Sequence, residues 1–262
     1  MAKRQASAPD WTSAFTKASG APVPRIIGLS YGEYGSGKTA LWLGAPGPIA
    51  VFDFDEGLEG VVEDFQARKD IYVMSHRWSP LDDDAQDEAI RVRDEFIAQF
   101  EQAVQNARTV IIDKGSQLWE IVRYAEFGAP NGQPRDYYPL NKFMTRLFSL
   151  AKATTVNFGM IDGMKTPWAM KGKNDGGKSL TKTSDRVRRG FEEADEHAHV
   201  VLFHEKDEDG NFVYTVQKSR GPGAHAVQGE SIVIANDPEE KLTAFAELGQ
   251  RIFPDSDPED WQ

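Results

Sequence analysis

The sequence predicts one α/β domain with a central, mainly parallel sheet, helices on both faces and an antiparallel hairpin at one edge. Three observations predict it. Short apolar runs at 26–29, 49–52, 109–112 and 156–161 are continuous rather than alternating, as strands buried on both faces are. Between them lie segments of helical periodicity, the longest over 82–107, with Ile90, Ile97, Phe100 and Val104 on one face. Finally, His199–Phe203 and Phe212–Lys218 flank the turn Asp207-Glu-Asp-Gly210 and read as a hairpin.

Composition narrows the function classes. The chain has 262 residues, 40% of them hydrophobic, so a sizeable core is within reach and wholesale disorder is excluded. It has no cysteine, which excludes disulfides and thiolate metal sites and fits a reducing cytoplasm. No apolar run approaches the roughly 18 residues of a membrane span, and no apolar stretch follows the basic N-terminus as in a signal peptide. A formal net charge of −11 argues against nucleic-acid binding over the whole surface, so any such contact is local.

In chain order, residues 1–22 are polar and broken by Pro9, Gly20 and Pro22, and are expected to form a flexible arm, with Trp11 and Phe15 as possible anchors. The first strand then runs into Gly32-Glu-Tyr34-Gly35-Ser36-Gly37-Lys38-Thr39-Ala40, which fits G-x-x-x-x-G-K-[ST] without mismatch. Glycines let successive N–H groups turn inward on phosphate oxygens. Lys38 can reach the terminal phosphates, and the Thr39 hydroxyl can ligate Mg²⁺. The helix behind the loop ends by Gly44.

Ile49–Asp53 is a strand ending in acids, Asp53-Phe-Asp55-Glu56-Gly57. Asp55 or Glu56 can activate a water, or one acid can cap a helix expected from about Leu58. Ile71–Met74 is a short strand. Thr109–Asp113 is an apolar strand with a single terminal aspartate, the Walker B arrangement, in which Asp113 holds Mg²⁺ beside the glycine loop, with Ser116 as a possible aid. Helices are expected from about 117 to 127 and 139 to 153, then a strand ending at Asp162, which either senses a phosphate or caps a turn.

Residues 163–190 reverse the sign of the chain, with Lys165, Lys171, Lys173, Lys178, Lys182, Arg186, Arg188 and Arg189 against Asp175 and Asp185, and Trp168 among them. A mobile basic loop with an aromatic suits single-stranded DNA, by phosphate neutralisation and base stacking, but an ordinary solvated loop has the same composition. His197 and His199 are expected on one face, with His204 nearby, yet no further ligand cluster supports a metal site there. Lys218-Ser-Arg220-Gly-Pro-Gly223 ends the hairpin with two cations able to meet phosphates of this chain or a neighbour. A helix is expected over 238–249, and 251–262 reads as an acidic tail.

The order of these features resembles the RecA-like branch of P-loop ATPases, and more narrowly the compact phage-encoded ATP-binding proteins related to RecA-type single-strand annealing proteins. The resemblance spans roughly residues 24–235. It implies a three-layer P-loop NTPase with a RecA-like core over 23–250, binding ATP and Mg²⁺. Gly32, Tyr34, Gly35, Ser36, Gly37, Lys38, Thr39 and Ala40 would cradle the nucleotide, and Thr39 and Asp113 the metal. Asp55 or Glu56 would activate water, Lys218 and Arg220 would act in trans on a neighbour's ATP, and the 163–190 loop would contact DNA. It further implies a ring or filament, phage recombination or replication partners, no membrane, and the cytoplasm of a phage-infected bacterium. The sequence departs from the pattern in offering two acids, Asp55 and Glu56, and in placing Asp162 where such proteins often carry glutamine or histidine. It also shows no extra DNA-binding domain, so full strand exchange is not expected. The competing expectation is an ATP-gated assembly or regulatory protein whose basic loop docks an acidic protein surface. A small-molecule kinase is disfavoured, since no arginine-rich lid is evident.

Overall fold

A computed structural model of the chain describes residues 23–129, 134–166, 168–172, 178–182 and 186–262, with 168–172 and 178–182 described as backbone. The arm at 1–22 lies outside them.

The elements in order are β1 (Ile27–Gly32), α1 (Lys38–Leu43), β2 (Ile49–Asp53), α2 (Glu63–Gln66), β3 (Ile71–Ser75), α3 (Ala85–Asn106), β4 (Thr109–Asp113), α4 (Gly115–Phe127), α5 (Tyr138–Lys152) and β5 (Asn157–Asp162). There follow β6 (Met164–Lys165), β7 (Trp168–Gly172), β8 (Lys178–Lys182), β9 (Val187–Arg188), α6 (Ala194–His197), β10 (Val200–Lys206), β11 (Phe212–Lys218), α7 (Ala224–Val227), β12 (Ser231–Ile234) and α8 (Pro238–Ile252). Eight strands form one sheet in the order β12-β11-β10-β1-β5-β4-β2-β3. The pairs from β10 through β3 are parallel, and β11 and β12 add antiparallel at the β10 edge.

Apart from the edge strand β3, whose Tyr72 and Val73 are exposed, the parallel strands are largely buried on both faces, which is why they read as unbroken apolar runs. In β2, Phe52 faces α3–α5 while Ile49 and Val51 face the other side, and in β4 Val110 and Ile112 oppose Ile111 in the same way. The second face is covered by α1 and α8. Trp42 of α1 is fully buried there, over the strand glycines Gly28 and Gly159, where an added Cβ would come within 2.6 and 2.4 Å of its ring. Its Nε1 donates to Ser30 Oγ at 2.9 Å. Three layers result, helix–sheet–helix, as expected for the fold class.

Four expectations are corrected. The helix foreseen from Leu58 begins at Glu63, because 57–62 form turns, with Gly60 in the left-handed region. The hairpin gains a third strand, β12, whose short segment after Gly229 carries little pattern of its own. The 163–190 stretch is not one loop: β6 pairs with β9, and β7 with β8, both antiparallel. Residues 251–262 are not a solvated tail, since Trp261 is 1% exposed and stacks on Phe253 beneath α8, with Nε1 donating to Ser256 Oγ.

Candidate nucleotide and metal site

The site lies at the carboxyl ends of β1, β4 and β5, where a parallel sheet presents ligands. The turn between β1 and α1 needs glycine twice. Gly35 and Gly37 have φ of 71° and 79°, and a Cβ at Gly37 would fall 2.6 Å from the Phe212 ring. Ser36 is buried and its Oγ donates to Glu33 O at 2.7 Å, tying the turn to itself. Lys38 Nζ folds back into the turn, donating to Gly32 O at 3.4 Å, to Glu33 O and to Ser36 Oγ. Burial lowers its pKa, against the pull of Asp113, Glu33 and Asp55. Ala40 is buried below the turn, and the Tyr34 ring is fully exposed at its tip.

Thr39 Oγ1 donates to Asp113 Oδ2 at 2.7 Å, so hydroxyl and carboxylate meet beside the glycine turn as a hard-cation site requires. Burial pushes the Asp113 carboxyl up to about 6, although the Thr39 hydrogen bond acts the other way. These oxygens, the inward-turned glycine loop and the Lys38 ammonium fit a magnesium–triphosphate pair. The cleft they line is about 400 Å³, within the range of small-ligand sites. A more open cavity of about 720 Å³ adjoins it, lined by Glu56, Glu59, Arg77 and His76. It lacks the glycine loop.

The three acids after β2 separate. Asp53 is buried and accepts from Asp55 N at 3.1 Å, so it caps the turn. Asp55 lines the glycine-loop cleft and forms an ion pair with Lys114. Glu56 pairs with Arg77 in the adjoining cavity, so of the two expected water activators Asp55 is the one that lines the glycine-loop cleft. Its backbone (φ 57°) and that of Lys114 (φ 67°) are the two left-handed non-glycine positions among the described residues, and both flank this cleft. Sequence reasoning missed Lys114, and only its place directly after Asp113 hinted at a role.

Asp162 ends β5 in the same cleft. Its side chain has no exposed surface, and Oδ2 accepts from Arg188 Nη1 at 2.9 Å. Burial raises its carboxyl to about 6 against the opposing Arg188 charge. Oδ1 is buried without a hydrogen-bond partner: the Ser116 N–H assists electrostatically but does not reach hydrogen-bond geometry. Gly190, with φ 113°, closes over it, since a Cβ there would lie 2.9 Å from both oxygens.

The basic residues are placed unevenly. Arg186 pairs with Glu33, Arg188 with Asp162 and Arg189 with Glu120, so each of these three expected DNA contacts meets a carboxylate of this chain. Lys165 is exposed. Trp168, Lys171, Lys178 and Lys182 belong to β7 and β8, their side chains outside the described residues, and Lys173 lies outside them altogether. Lys218 Nζ donates to the Asp195 and Glu196 carbonyls, and Arg220 is exposed. Both sit at the end of the sheet opposite Lys38, about 20 Å away along β1, so neither serves its own chain's cleft.

The three histidines do not cluster. His197 lies in α6, and His199 precedes β10. His204 is fully buried, with Nε2 3.0 Å from Ser30 Oγ. Trp42 Nε1 donates to the same hydroxyl, and burial holds the His204 pKa well below the ordinary value, so the ring is neutral. Among the described residues no group of His, Asp and Glu is arranged to hold a metal by itself, and no helix is long and apolar enough to cross a membrane. No known protein-family model matches the chain, and no curated protein matches it in sequence.

Proposed function

We propose that this protein binds and hydrolyses ATP with Mg²⁺ as a P-loop NTPase of RecA-like type. The observation that carries the reading is the 2.7 Å contact between Thr39 and Asp113 at the mouth of a glycine turn that also holds Lys38. The loop N–H groups and the Lys38 ammonium hold phosphate oxygens, and Thr39 and Asp113 hold the metal. When bound, Mg²⁺ supplies charge neutralisation on the phosphates. Asp55 orients a water and takes its proton once the Lys114 ion pair opens. Titration calorimetry with Mg·ATP tests this: Lys38→Ala should weaken binding by about 100-fold or more, and Asp113→Asn should remove the magnesium dependence. Identical heats from parent and Lys38→Ala overturn the reading.

The second partner, on this proposal, is single-stranded DNA, with annealing or recombination in a phage-infected cytoplasm as its setting, and Lys218 and Arg220 serving a neighbour in a ring or filament. Support comes from the lysines of β7, β8 and Lys165 in a chain of net charge −11. Fluorescence anisotropy with an oligonucleotide should show salt-sensitive binding that falls in a Lys165→Gln, Lys171→Gln, Lys178→Gln variant. Unchanged binding favours the other reading, an ATP-gated assembly or regulatory ATPase acting on a protein.

A further inference from the structure

At the end of the sheet opposite the glycine loop, the starts of the parallel strands gather positive charge. Arg25 precedes β1, Lys152 ends α5 before β5, His199 precedes β10, and Lys218 and Arg220 leave antiparallel β11. A cavity of about 630 Å³ opens among Arg25, His199, Arg220 and Phe253. Arg25 Nη2 donates to Lys152 O at 2.8 Å, which ties two of these segments together.

These cations lack counter-ions. Among the described residues none of Arg25, Lys152, Lys218 or Arg220 forms an ion pair, in a chain whose other arginines are mostly paired. The nearest carboxylates, Asp195 and Glu196, act on Lys218 only at a distance, and Asp195 lies 3.8 Å from Arg188 instead. The Ser219 hydroxyl, between the two cations in sequence, is buried without a hydrogen-bond partner. Mutual repulsion is felt throughout: Lys152 and Lys218 are lowered by burial and then by Arg220, while burial and the four surrounding cations hold His199 down to about 4. No carboxylate opposes the four cations at His199. A fold that gathers like charges without neutralising them has left room for an anion.

We propose that the cleft lined by Arg25, His199 and Arg220, with the Lys152 and Lys218 charges close enough to act on it, is a second anion site, which takes phosphate groups. It shares Lys218 and Arg220 with the trans role proposed above, but no residue of the glycine loop contributes, so it can be tested with that loop disabled. The phosphate comes either from a free polyphosphate chain or from a nucleic-acid backbone, two sources with one recognition chemistry: guanidinium and ammonium donors on phosphoryl oxygens.

The test uses the full chain carrying Lys38→Ala, which silences the glycine loop. Inorganic tripolyphosphate is titrated in one arm and a short oligo-dT in the other, while the His199 ring protons are followed by NMR. Binding should persist in the Lys38→Ala background and weaken about tenfold or more when Arg25→Gln and Arg220→Gln are added. The His199 pKa should rise toward the ordinary imidazole value as ligand neutralises its neighbours. The arm that saturates at the lower concentration assigns the source. If neither ligand moves His199 and neither affinity depends on Arg25 and Arg220, the site is overturned. Exposed Arg220→Gln alone, checked by its circular dichroism, keeps the test valid should the double variant fail to fold.

Discussion

A carboxylate with no exposed surface and one oxygen unpartnered, as in Asp162, is costly to ionise even beside Arg188. Its pKa rises from 3.8 to about 6 on folding. The folded chain therefore holds this proton to a higher pH than the unfolded chain does. Between those values the folded state binds more protons, and the contribution of this group to stability falls as pH rises. Asp162→Asn cannot ionise, so in urea unfolding it should gain on the parent by at most about 3 kcal/mol between about pH 4 and about pH 7. A stability difference constant across that window rules the account out. The terminal aspartate of β5 was visible in the sequence, but its partner was not: Arg188 arrives from β9, and charge counting cannot tell a paired arginine from a free one.

The helix and strands under the glycine turn meet through Trp42. Its indole lies on Gly28 and Gly159, and a glycine inside a strand leaves no side chain of its own to pack. They are instead the floor of a pocket for a large ring, and the register of β1 with β5 pairs Gly28 with Gly159 directly. Gly159→Ala would thrust a methyl to within 2.4 Å of the ring and should destabilise the fold by about 1–3 kcal/mol, with weaker nucleotide binding as α1 shifts. Thermal unfolding and calorimetry on the same sample measure both effects; an unshifted melting curve would show that Trp42 relaxes freely. The same packing explains why the apolar strands were legible while their contents were not. Periodicity reports burial, but which ring fills which gap depends on strand order.

Across the whole protein, the sheet separates two chemistries. The carboxyl ends of its parallel strands hold the glycine turn, Thr39, Asp113 and Asp162, and the amino ends hold unpaired cations. The net charge of −11 conceals this polarity. The chain closes on itself through Trp261, which packs against Phe245 and Phe253 and over Gly249 of α8. Trp261→Ala should cost about 3–5 kcal/mol in denaturant unfolding. A loss below about 1 kcal/mol would mean that the last residues contribute no core.

Local pattern was enough for the fold class, the places of its first strands along the chain, the glycine turn with Lys38 and Thr39, and the position of Asp113, because burial on both faces and phosphate-cradling geometry each impose a short, contiguous signature. Only the tertiary structure sent Asp55 into the cleft and Glu56 out of it, neutralised Arg186, Arg188 and Arg189, docked Trp261, and assembled five basic groups from four separate segments. Those outcomes depend on contacts between residues far apart in the chain, and no local signature encodes them.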